Sequence, residues 1–221
     1  MKDLTQPQTV NALRILYSVW VVVGMFSLVY VPTTLIDTSD AIATAERIAR
    51  HSRLYRLSIA GSLVTQLLFI IIPALLYRLF ETVDRNQAAL MVVLAWVSVP
   101  ITMYNEVNQL MVFGVLGEPD RIADLLEAHR QGSTIATIFW GLWLFPLGGL
   151  VYRSQYFPKG LSYFLWIGGV GYVFGSFARI LMGEVGPLAF VLELMTMGEV
   201  VFVIWLVAVG VKRQARVPRG V

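Results

Sequence analysis

Six long apolar stretches, separated by polar segments, fill most of the 221-residue chain. They lie near residues 15–31, 57–77, 88–110, 134–152, 161–181 and 187–211. A helix needs about 20 apolar residues, with roughly 17 as the lower limit, to cross the hydrocarbon core of a bilayer. The backbone in lipid must also satisfy its own hydrogen bonds, which excludes open loops and sheets. The pattern therefore predicts an all-α polytopic membrane protein in which residues 1–221 form one domain of six transmembrane helices.

Two of the polar segments carry helix signals of their own. Asp40 is placed to cap a helix over about 41–52, with arginines toward its end as the helix dipole favours. Pro119 opens a second helix, Gly132 closes it, and its apolar face includes His129. Both helices are too short and too charged to cross a bilayer. We expect them to lie in the outer loops as short amphipathic helices on the membrane surface.

The composition narrows the classes of protein further. Hydrophobic residues make up 57% of the chain and charged residues 14%. The absence of cysteine excludes disulfides and thiolate metal sites. With only two histidines, His51 and His129, a multi-histidine metal or haem site is not expected, and the sequence indicates no particular cofactor. The net charge of +3 comes from basic residues at helix ends, as is usual in membrane proteins, so it does not indicate nucleic acid as a partner.

The distribution of basic residues predicts the orientation. If the N-terminus is cytoplasmic, ten basic residues flank the inner ends of the helices: Lys2, Arg14, Arg78, Arg85, Arg153, Lys159, Lys212, Arg213, Arg216 and Arg219. Six lie in the outer loops: Arg47, Arg50, Arg53, Arg56, Arg121 and Arg130. The positive-inside rule therefore favours both termini in the cytoplasm. The first stretch lacks a cleavage pattern of small residues and is expected to remain as an anchor.

Polar residues interrupt the apolar stretches at a few positions, all in the middle or outer half of the predicted spans. They are Gln66, Asn105, Glu106, Asn108, Gln109, Arg179, Glu193 and Glu199. An ionisable side chain at the membrane centre costs about 2.5–3.5 kcal/mol on insertion scales, so it normally faces a partner or water. These residues, together with His129 above them, are therefore the candidates for a ligand-binding site.

Matching residues by depth predicts specific pairs. The hairpin between the fifth and sixth spans brings Arg179 level with Glu193, which predicts an ion pair, with Glu106 as a second carboxylate for the same arginine. Glu199 has no basic residue at its depth. Removal from water favours the protonated form of a carboxyl group, and a neutral Glu199 could share a hydrogen bond with Gln66.

Two interpretations of these residues remain open. In the first, Glu199 lies at the bottom of an outward-facing polar cavity. The cavity contains three carboxylates and one arginine, and this excess of negative charge favours a cation or a proton as ligand. The residues around that cavity would be Glu106, Arg179, Glu193, Asn105, Gln109 and Gln66, with His129 either packed at the mouth or acting there as a proton acceptor. In the second, ion pairs and amide pairs only fasten the helices together. No catalytic constellation is recognisable, so an enzyme is not favoured.

Several runs in the chain resemble a known family. Among them are Phe139-Trp140-Gly141-Leu142, Arg153-Ser154, Pro158, Gly171-Tyr172 and Gly198-Glu199. The chain resembles, over nearly its whole length, the bacterial membrane family catalogued as domain of unknown function 4386. The resemblance implies six spans, a bacterial inner membrane and no established activity. His129 and Glu199 match the family pattern, whereas Asn105, Glu106 and Glu193 do not.

The sequence thus predicts an integral membrane protein, with the lipid bilayer as its first partner. The leading function is binding or transport of a small polar or cationic ligand, a proton or a lipid in the outward-facing cavity. The alternative is a non-catalytic accessory subunit that packs against a partner protein in a larger membrane complex. A third interpretation is an intramembrane enzyme that modifies lipids.

Overall fold

The computed structural model describes residues 6–183 and 185–211, and this part of the chain is helical without strands. The helices are α1 (Gln6–Gly24), α2 (Val31–Leu35), α3 (Ala41–Arg50), α4 (Ser52–Phe80), α5 (Arg85–Met111), α6 (Pro119–Leu142), α7 (Leu144–Ser154), α8 (Gly160–Met182) and α9 (Pro187–Ala208). A π-helical segment, Met25–Tyr30, joins α1 to α2, and a 3-10 turn, Val112–Gly114, extends α5. Lys2, Lys212, Arg213, Arg216 and Arg219 of the predicted inner flank lie outside the described residues.

Six helical units in the described ranges are long and apolar enough to cross a membrane, which confirms the predicted fold class. Span 1 is Gln6–Leu35, span 2 Ser52–Phe80, span 3 Arg85–Gly114, span 4 Pro119–Ser154, span 5 Gly160–Met182 and span 6 Pro187–Ala208. The protein is therefore an all-α, polytopic integral membrane protein. Span 6 ends at Ala208, three residues before the end of the predicted apolar stretch.

The spans form a ring in chain order. Each span packs on the next, and α9 of span 6 returns to α1 of span 1. At this closure the Nε atom of Arg14 donates a hydrogen bond to the carbonyl oxygen of Val207, over 2.8 Å. We call this end of the bundle the Arg14 end and the opposite end, which carries α3, the α3 end.

Large side chains fill the ring toward the Arg14 end. Trp143, Leu147, Phe202 and Leu206 are fully buried there among residues from every span. A second apolar cluster lies at the α3 end, where α3 packs on α4 and α6. We call it the apolar cap; its buried members are Val31, Leu35, Ala45, Ile48, Tyr55, Ile59, Val112 and Ile122. The middle of the bundle therefore lies between two apolar layers.

The first predicted surface helix is present as α3, and it ends at Arg50, two residues earlier than expected. The Asp40 side chain accepts a hydrogen bond from the backbone N–H of Ala43, over 2.8 Å, as predicted for its cap. The second surface helix also begins at Pro119, but its predicted end at Gly132 is wrong, because α6 continues to Leu142. Gly132 instead packs directly against the side chain of Asn105, and any larger residue would collide with that side chain.

Prolines explain the irregular points of the spans. A proline in a helix has no N–H to donate, and its ring collides with the carbonyl four residues earlier. Pro146 stands four residues after Leu142, where α6 ends before α7 begins at Leu144. Pro32 likewise follows the π-helical segment of span 1. Span 4 is therefore two helical segments that meet at the buried Trp143.

Candidate functional site

Glu106 lies in a buried hydrogen-bonded network at the α3 end of the bundle. Only 2% of its surface is exposed. The Oγ hydroxyl of Ser62 on α4 donates to Oε1 of Glu106, and Nε2 of Gln109 donates to Oε2 over 3.0 Å. The carboxylate therefore joins span 2 to span 3 and is accepting bonds at both oxygens.

The network continues from span 3 to span 4 through His129. Nε2 of Gln109 also lies 3.1 Å from Nε2 of His129, and Nδ1 of His129 lies 3.2 Å from the carbonyl oxygen of Asn105. Nδ2 of Asn105 donates to the carbonyl oxygen of His129 over 2.7 Å and to Oγ of Ser133 over 3.1 Å. Nδ2 of Asn108 donates to Oδ1 of Asn105 over 3.0 Å. We call this group the Glu106 network; its members are Ser62, Asn105, Glu106, Asn108, Gln109, His129 and Ser133.

The apolar cap covers the Glu106 network toward the α3 end. Tyr55, one of its members, lies close enough to Glu106 for their charges to interact, and its hydroxyl has no hydrogen-bond partner among the described residues. Arg56 lies over the ring of Phe113, 3.7 Å from its centre, on the same side. Gln109 and His129 are only half-buried. The path from solvent to Glu106 therefore passes these two half-buried side chains.

The predicted pair between Arg179 and Glu193 forms on the surface of the bundle. Nη2 of Arg179 donates to Oε1 of Glu193 over 2.9 Å, and the side chains are 34% and 63% exposed. The predicted second contact of Arg179, with Glu106, is wrong. Arg179 lies on α8, which packs on α6, α7 and α9, whereas Glu106 lies on α5.

Glu199 lies near the middle of α9, with 8% of its surface exposed. Among the residues that the structure describes, none forms a hydrogen bond or an ion pair with its carboxylate. Tyr17 of α1 and Tyr172 of α8 are close enough for their charges to interact with it. The Tyr17 hydroxyl is buried and also has no hydrogen-bond partner in the described ranges. We call Glu199, Tyr17 and Tyr172 the Glu199 site.

Aromatic side chains extend from this site into the bundle. The rings of Tyr17 and Trp20 are 6.3 Å apart, those of Trp20 and Phe69 6.2 Å, and those of Phe69 and Trp143 5.2 Å. The indole nitrogens of Trp20 and Trp143 are buried and, within the described part of the chain, donate no hydrogen bond. Unpartnered donors of this kind are rare in protein interiors. They indicate a place where a polar ligand or water completes the hydrogen bonding.

The expected hydrogen bond between Glu199 and Gln66 is wrong. Nε2 of Gln66 lies 3.5 Å from the hydroxyl of the neighbouring Thr65, and its Oε1 is buried without a partner in the residues described. Gln66 is one helical turn from Ser62, on the α4 face that meets α5. It therefore belongs with the buried polar side chains of spans 2 and 3, such as Ser62 and Thr102.

The structure thus arranges the sequence-predicted residues in separate groups. Asn105, Glu106, Gln109 and His129 come together in one network. Arg179 and Glu193 form a surface pair, and Glu199 lies between spans 1, 5 and 6. Ser62, Tyr17 and Tyr172 were not among the candidates, although Ser62 stands four residues before Gln66 and shares its face. In the part of the chain described, no three His, Asp or Glu side chains are grouped so that they could hold a metal ion.

These features define a six-span membrane protein with buried carboxylates at two depths. The chain belongs to the family described as Domain of unknown function (DUF4386), whose model matches residues 15–210. An uncharacterized protein of Archaeoglobus fulgidus is 30% identical over 159 residues, which are 70% of this chain and 85% of that protein. No solved structure matches the chain significantly. The resemblance to the family noted in the sequence is thereby confirmed, and the family carries no assigned activity.

Proposed function

We propose that the protein binds a small organic cation within the membrane, at the Glu199 site. The observation that carries this proposal is that two buried side chains on neighbouring spans, a carboxylate and a hydroxyl, lie near each other without hydrogen-bond partners among the described residues. Glu199 of span 6 and the hydroxyl of Tyr17 in span 1 lie within electrostatic reach of each other, and neither has a hydrogen-bond partner among the described residues. An ionisable residue in a span marks a functional site by default, because leaving it unpaired is costly.

The chemistry of the site favours a cation. A carboxylate attracts positive charge, and the faces of Tyr and Trp rings attract it too, through their quadrupoles. Tyr17 and Tyr172 approach Glu199 from two sides, and Trp20 lies beside Tyr17. Among the described residues no lysine or arginine forms an ion pair with Glu199. An amine or a quaternary ammonium group can therefore complete the site, whereas the charge of Glu199 repels an anion.

Close contact between spans 5 and 6 fixes the position of Glu199. Gly198 packs on the carbonyl oxygen of Phe164, so that a side chain at 198 would collide with the backbone of span 5. A Cβ atom on Gly168 would lie 3.5 Å from the backbone nitrogen of Glu199. The glycines thus hold the backbone of Glu199 against α8, and its side chain has little freedom to reach solvent. A preorganised carboxylate is what a binding site of this kind requires.

Substitution of Glu199 tests the proposal, and Glu193 offers a matched control. Glu199→Gln removes the charge with little change in shape, whereas Glu193→Gln removes an exposed carboxylate of the same helix. Binding of methylammonium, ethanolamine and choline is followed by tryptophan fluorescence in detergent, with Trp20 beside Tyr17 and Trp140 beside Tyr172 as reporters. Loss of one charge-assisted hydrogen bond, about 1.5–3 kcal/mol, predicts roughly 10–100-fold weaker binding for Glu199→Gln. Glu193→Gln is expected to bind as the wild type does.

Helical circular dichroism and gel filtration confirm that both variants are folded before binding is compared. Unchanged binding in Glu199→Gln, or the absence of saturable binding of any of the three amines to the wild type, contradicts the proposal. A further variant, Tyr17→Phe, keeps the ring and removes the unpartnered hydroxyl. A ligand bound between the two oxygens predicts weaker binding in this variant as well.

We further propose that the Arg14 end faces the cytoplasm of a bacterial cell. The sequence predicts ten basic residues on the cytoplasmic side and six on the other, and Arg78, Arg85 and Arg153 of the ten lie on helices at the Arg14 end. The chain contains no cysteine, so single cysteines can report the orientation. In intact cells a membrane-impermeant maleimide should label Thr38→Cys, next to α3, and should leave Thr82→Cys, between α4 and α5, unlabelled until the cells are opened. The reverse pattern contradicts the proposed orientation.

A further inference from the structure

Gln109 connects two titratable side chains through a single atom. Its amide nitrogen, Nε2, lies 3.0 Å from Oε2 of Glu106 and 3.1 Å from Nε2 of His129. An amide nitrogen has two hydrogens and no acceptor. Both hydrogens are therefore donated, one to the carboxylate and one to the imidazole.

This arrangement determines the state of His129. Because Nε2 of His129 receives a hydrogen from Gln109, it carries no proton of its own. Nδ1 lies 3.2 Å from the carbonyl oxygen of Asn105, which can only accept, so Nδ1 carries the proton. Nε2 of His129 thus faces a donor and Nδ1 faces an acceptor, which is the hydrogen-bonding pattern of an imidazole in its Nδ1–H form.

A proton added to Nε2 of His129 cannot leave Glu106 unaffected. The new N–H would point at the N–H of Gln109, so the amide must turn and present its oxygen, Oε1, to the imidazolium. Turning the amide also changes the group that faces Oε2 of Glu106. The hydrogen bonding of the carboxylate thus depends on the charge of the histidine, and the reverse holds equally.

We propose that Glu106, Gln109 and His129 form a proton-binding site at the α3 end, in which Glu106 and His129 titrate as a coupled pair across the Gln109 amide. Protons enter from the solvent at that end, because His129 and Gln109 are half-buried and Glu106 is buried beneath them. A proton that leaves water is held on Nε2 of His129 or on the Glu106 carboxylate, and no other reactant is needed. When two groups interact strongly, their titration belongs to the pair.

The other charged side chains near Glu106 and His129 are engaged with partners outside this pair. From α4, Tyr55 faces it with a hydroxyl and Ser62 donates to it, while Arg56 is held over Phe113. On α6, Glu127 accepts two hydrogen bonds of 2.7 Å from Arg130 on the exposed face. Near α3, Arg47 lies 3.6 Å from Asp37. Across the ranges that the structure describes, none of the basic residues forms an ion pair with Glu106.

This proton site is independent of ligand binding at Glu199. Its residues come from spans 2, 3 and 4, whereas those of the Glu199 site come from spans 1, 5 and 6. α5, which carries Glu106, packs on α4, α6 and α7, and α9, which carries Glu199, packs on α8 and α1. Failure of either proposal therefore leaves the other standing.

Nitrogen NMR of labelled histidine tests the proposal directly, because the chain has only two histidines. In a His51→Gln background the remaining signals belong to His129. At neutral pH we expect the Nδ1–H form, and on acidification we expect its protonation to occur at a different pH when Glu106 is replaced by Gln, because the group that shares the Gln109 amide with His129 loses its charge. Gln109→Leu, which removes the bridging amide, should also shift the titration.

Glu127→Gln is the matched control, because it removes an exposed carboxylate from the helix that carries His129. The His129 titration should stay unchanged in that variant. An Nε2–H form at neutral pH, or a titration that Glu106→Gln leaves in place, overturns the proposal. Infrared spectroscopy of the full chain supplies a second measurement if Gln109→Leu fails to fold. The coupled site predicts a carboxylic acid band that disappears in Glu106→Gln. The pH at which this band appears should differ between His51→Gln/His129→Gln and His51→Gln alone. A band that appears at the same pH in both contradicts the proposal.

Discussion

Glu193 and Glu199 stand six residues apart on α9 and meet opposite surroundings. Glu193 is 63% exposed and bonded to Arg179, whereas Glu199 is 8% exposed and has no partner among the described residues. Exposed ion pairs contribute about 0–1 kcal/mol to stability, so the Arg179–Glu193 pair fits the interpretation that some polar residues only fasten helices. An unpartnered carboxylate fastens nothing, which is why the proposed function rests on Glu199.

Asp37 allows a prediction of pH dependence outside the spans. The Oγ hydroxyl and the backbone N–H of Ser39 both donate to its carboxylate, and Arg47 lies nearby, which holds the pKa of Asp37 below its ordinary value. A lowered pKa in the folded state means that stabilisation is present above the unfolded pKa, about 3.9, and is lost as the pH falls through the folded value. The turn before α3 should therefore loosen only in acid.

Amide hydrogen exchange of residues Ala41–Arg50 measures this effect, after correction for the intrinsic pH dependence of exchange. In the wild type, protection of α3 should fall on acidification below about pH 4. Asp37→Asn should lower the protection already at neutral pH and show a smaller loss in acid, because only the Asp40 cap is then left to be protonated. An acid-induced loss of the same size in both proteins would assign the effect to another group.

At the scale of elements, the spans and α3 follow directly from the sequence, and the interruptions do not. Apolar length predicts each span, and Asp40 predicts the start of α3. Gly132 gave a stop signal that tertiary contacts overrode, because Gly132 itself packs on the Asn105 side chain and the next residue, Ser133, accepts a hydrogen bond from it. The break in span 4 lies instead at Trp143, three residues before Pro146. The end of a helix thus depends on contacts with other spans as well as on local residues, and those contacts are not visible in one sequence.

The packing of α8 on α9 predicts a strong effect at Gly198. In Gly198→Ala the new methyl group would collide with the carbonyl oxygen of Phe164, and the backbone of span 5 cannot yield cheaply. Overpacking of this kind costs about 1–3 kcal/mol or more. Thermal unfolding in detergent should show a clearly lower midpoint for Gly198→Ala than for the wild type.

Gly160 provides the control for that experiment, because it begins α8 and a methyl group added to it would meet no atom within 4 Å. Gly160→Ala should be neutral or stabilising by up to about 1 kcal/mol, since alanine is the better helix former. Equal midpoints for the two variants would show that spans 5 and 6 do not approach as closely as described.

At the scale of the whole molecule, the ring of spans separates residues that depth alone would group. Glu106, Glu193 and Glu199 were expected around one cavity because they lie in the middle or outer half of their spans. Depth follows from position along a helix, but the direction of a side chain depends on how each helix is rotated and which span it meets. The ring turns Glu106 toward spans 2 and 4 and Glu199 toward spans 1 and 5. Only Arg179 and Glu193, joined by a short hairpin, were paired correctly from the sequence.

Native mass spectrometry shows directly whether Glu199 holds a small cation inside the bundle. The wild type, Glu199→Gln and Glu193→Gln would be extracted in mild detergent from the same membranes and measured intact. We expect a small bound cation on the 24.7 kDa wild-type chain and on Glu193→Gln, and its loss from Glu199→Gln. A bare wild-type chain, a ligand retained by Glu199→Gln, or a stoichiometric complex with another membrane protein and no small ligand would contradict it.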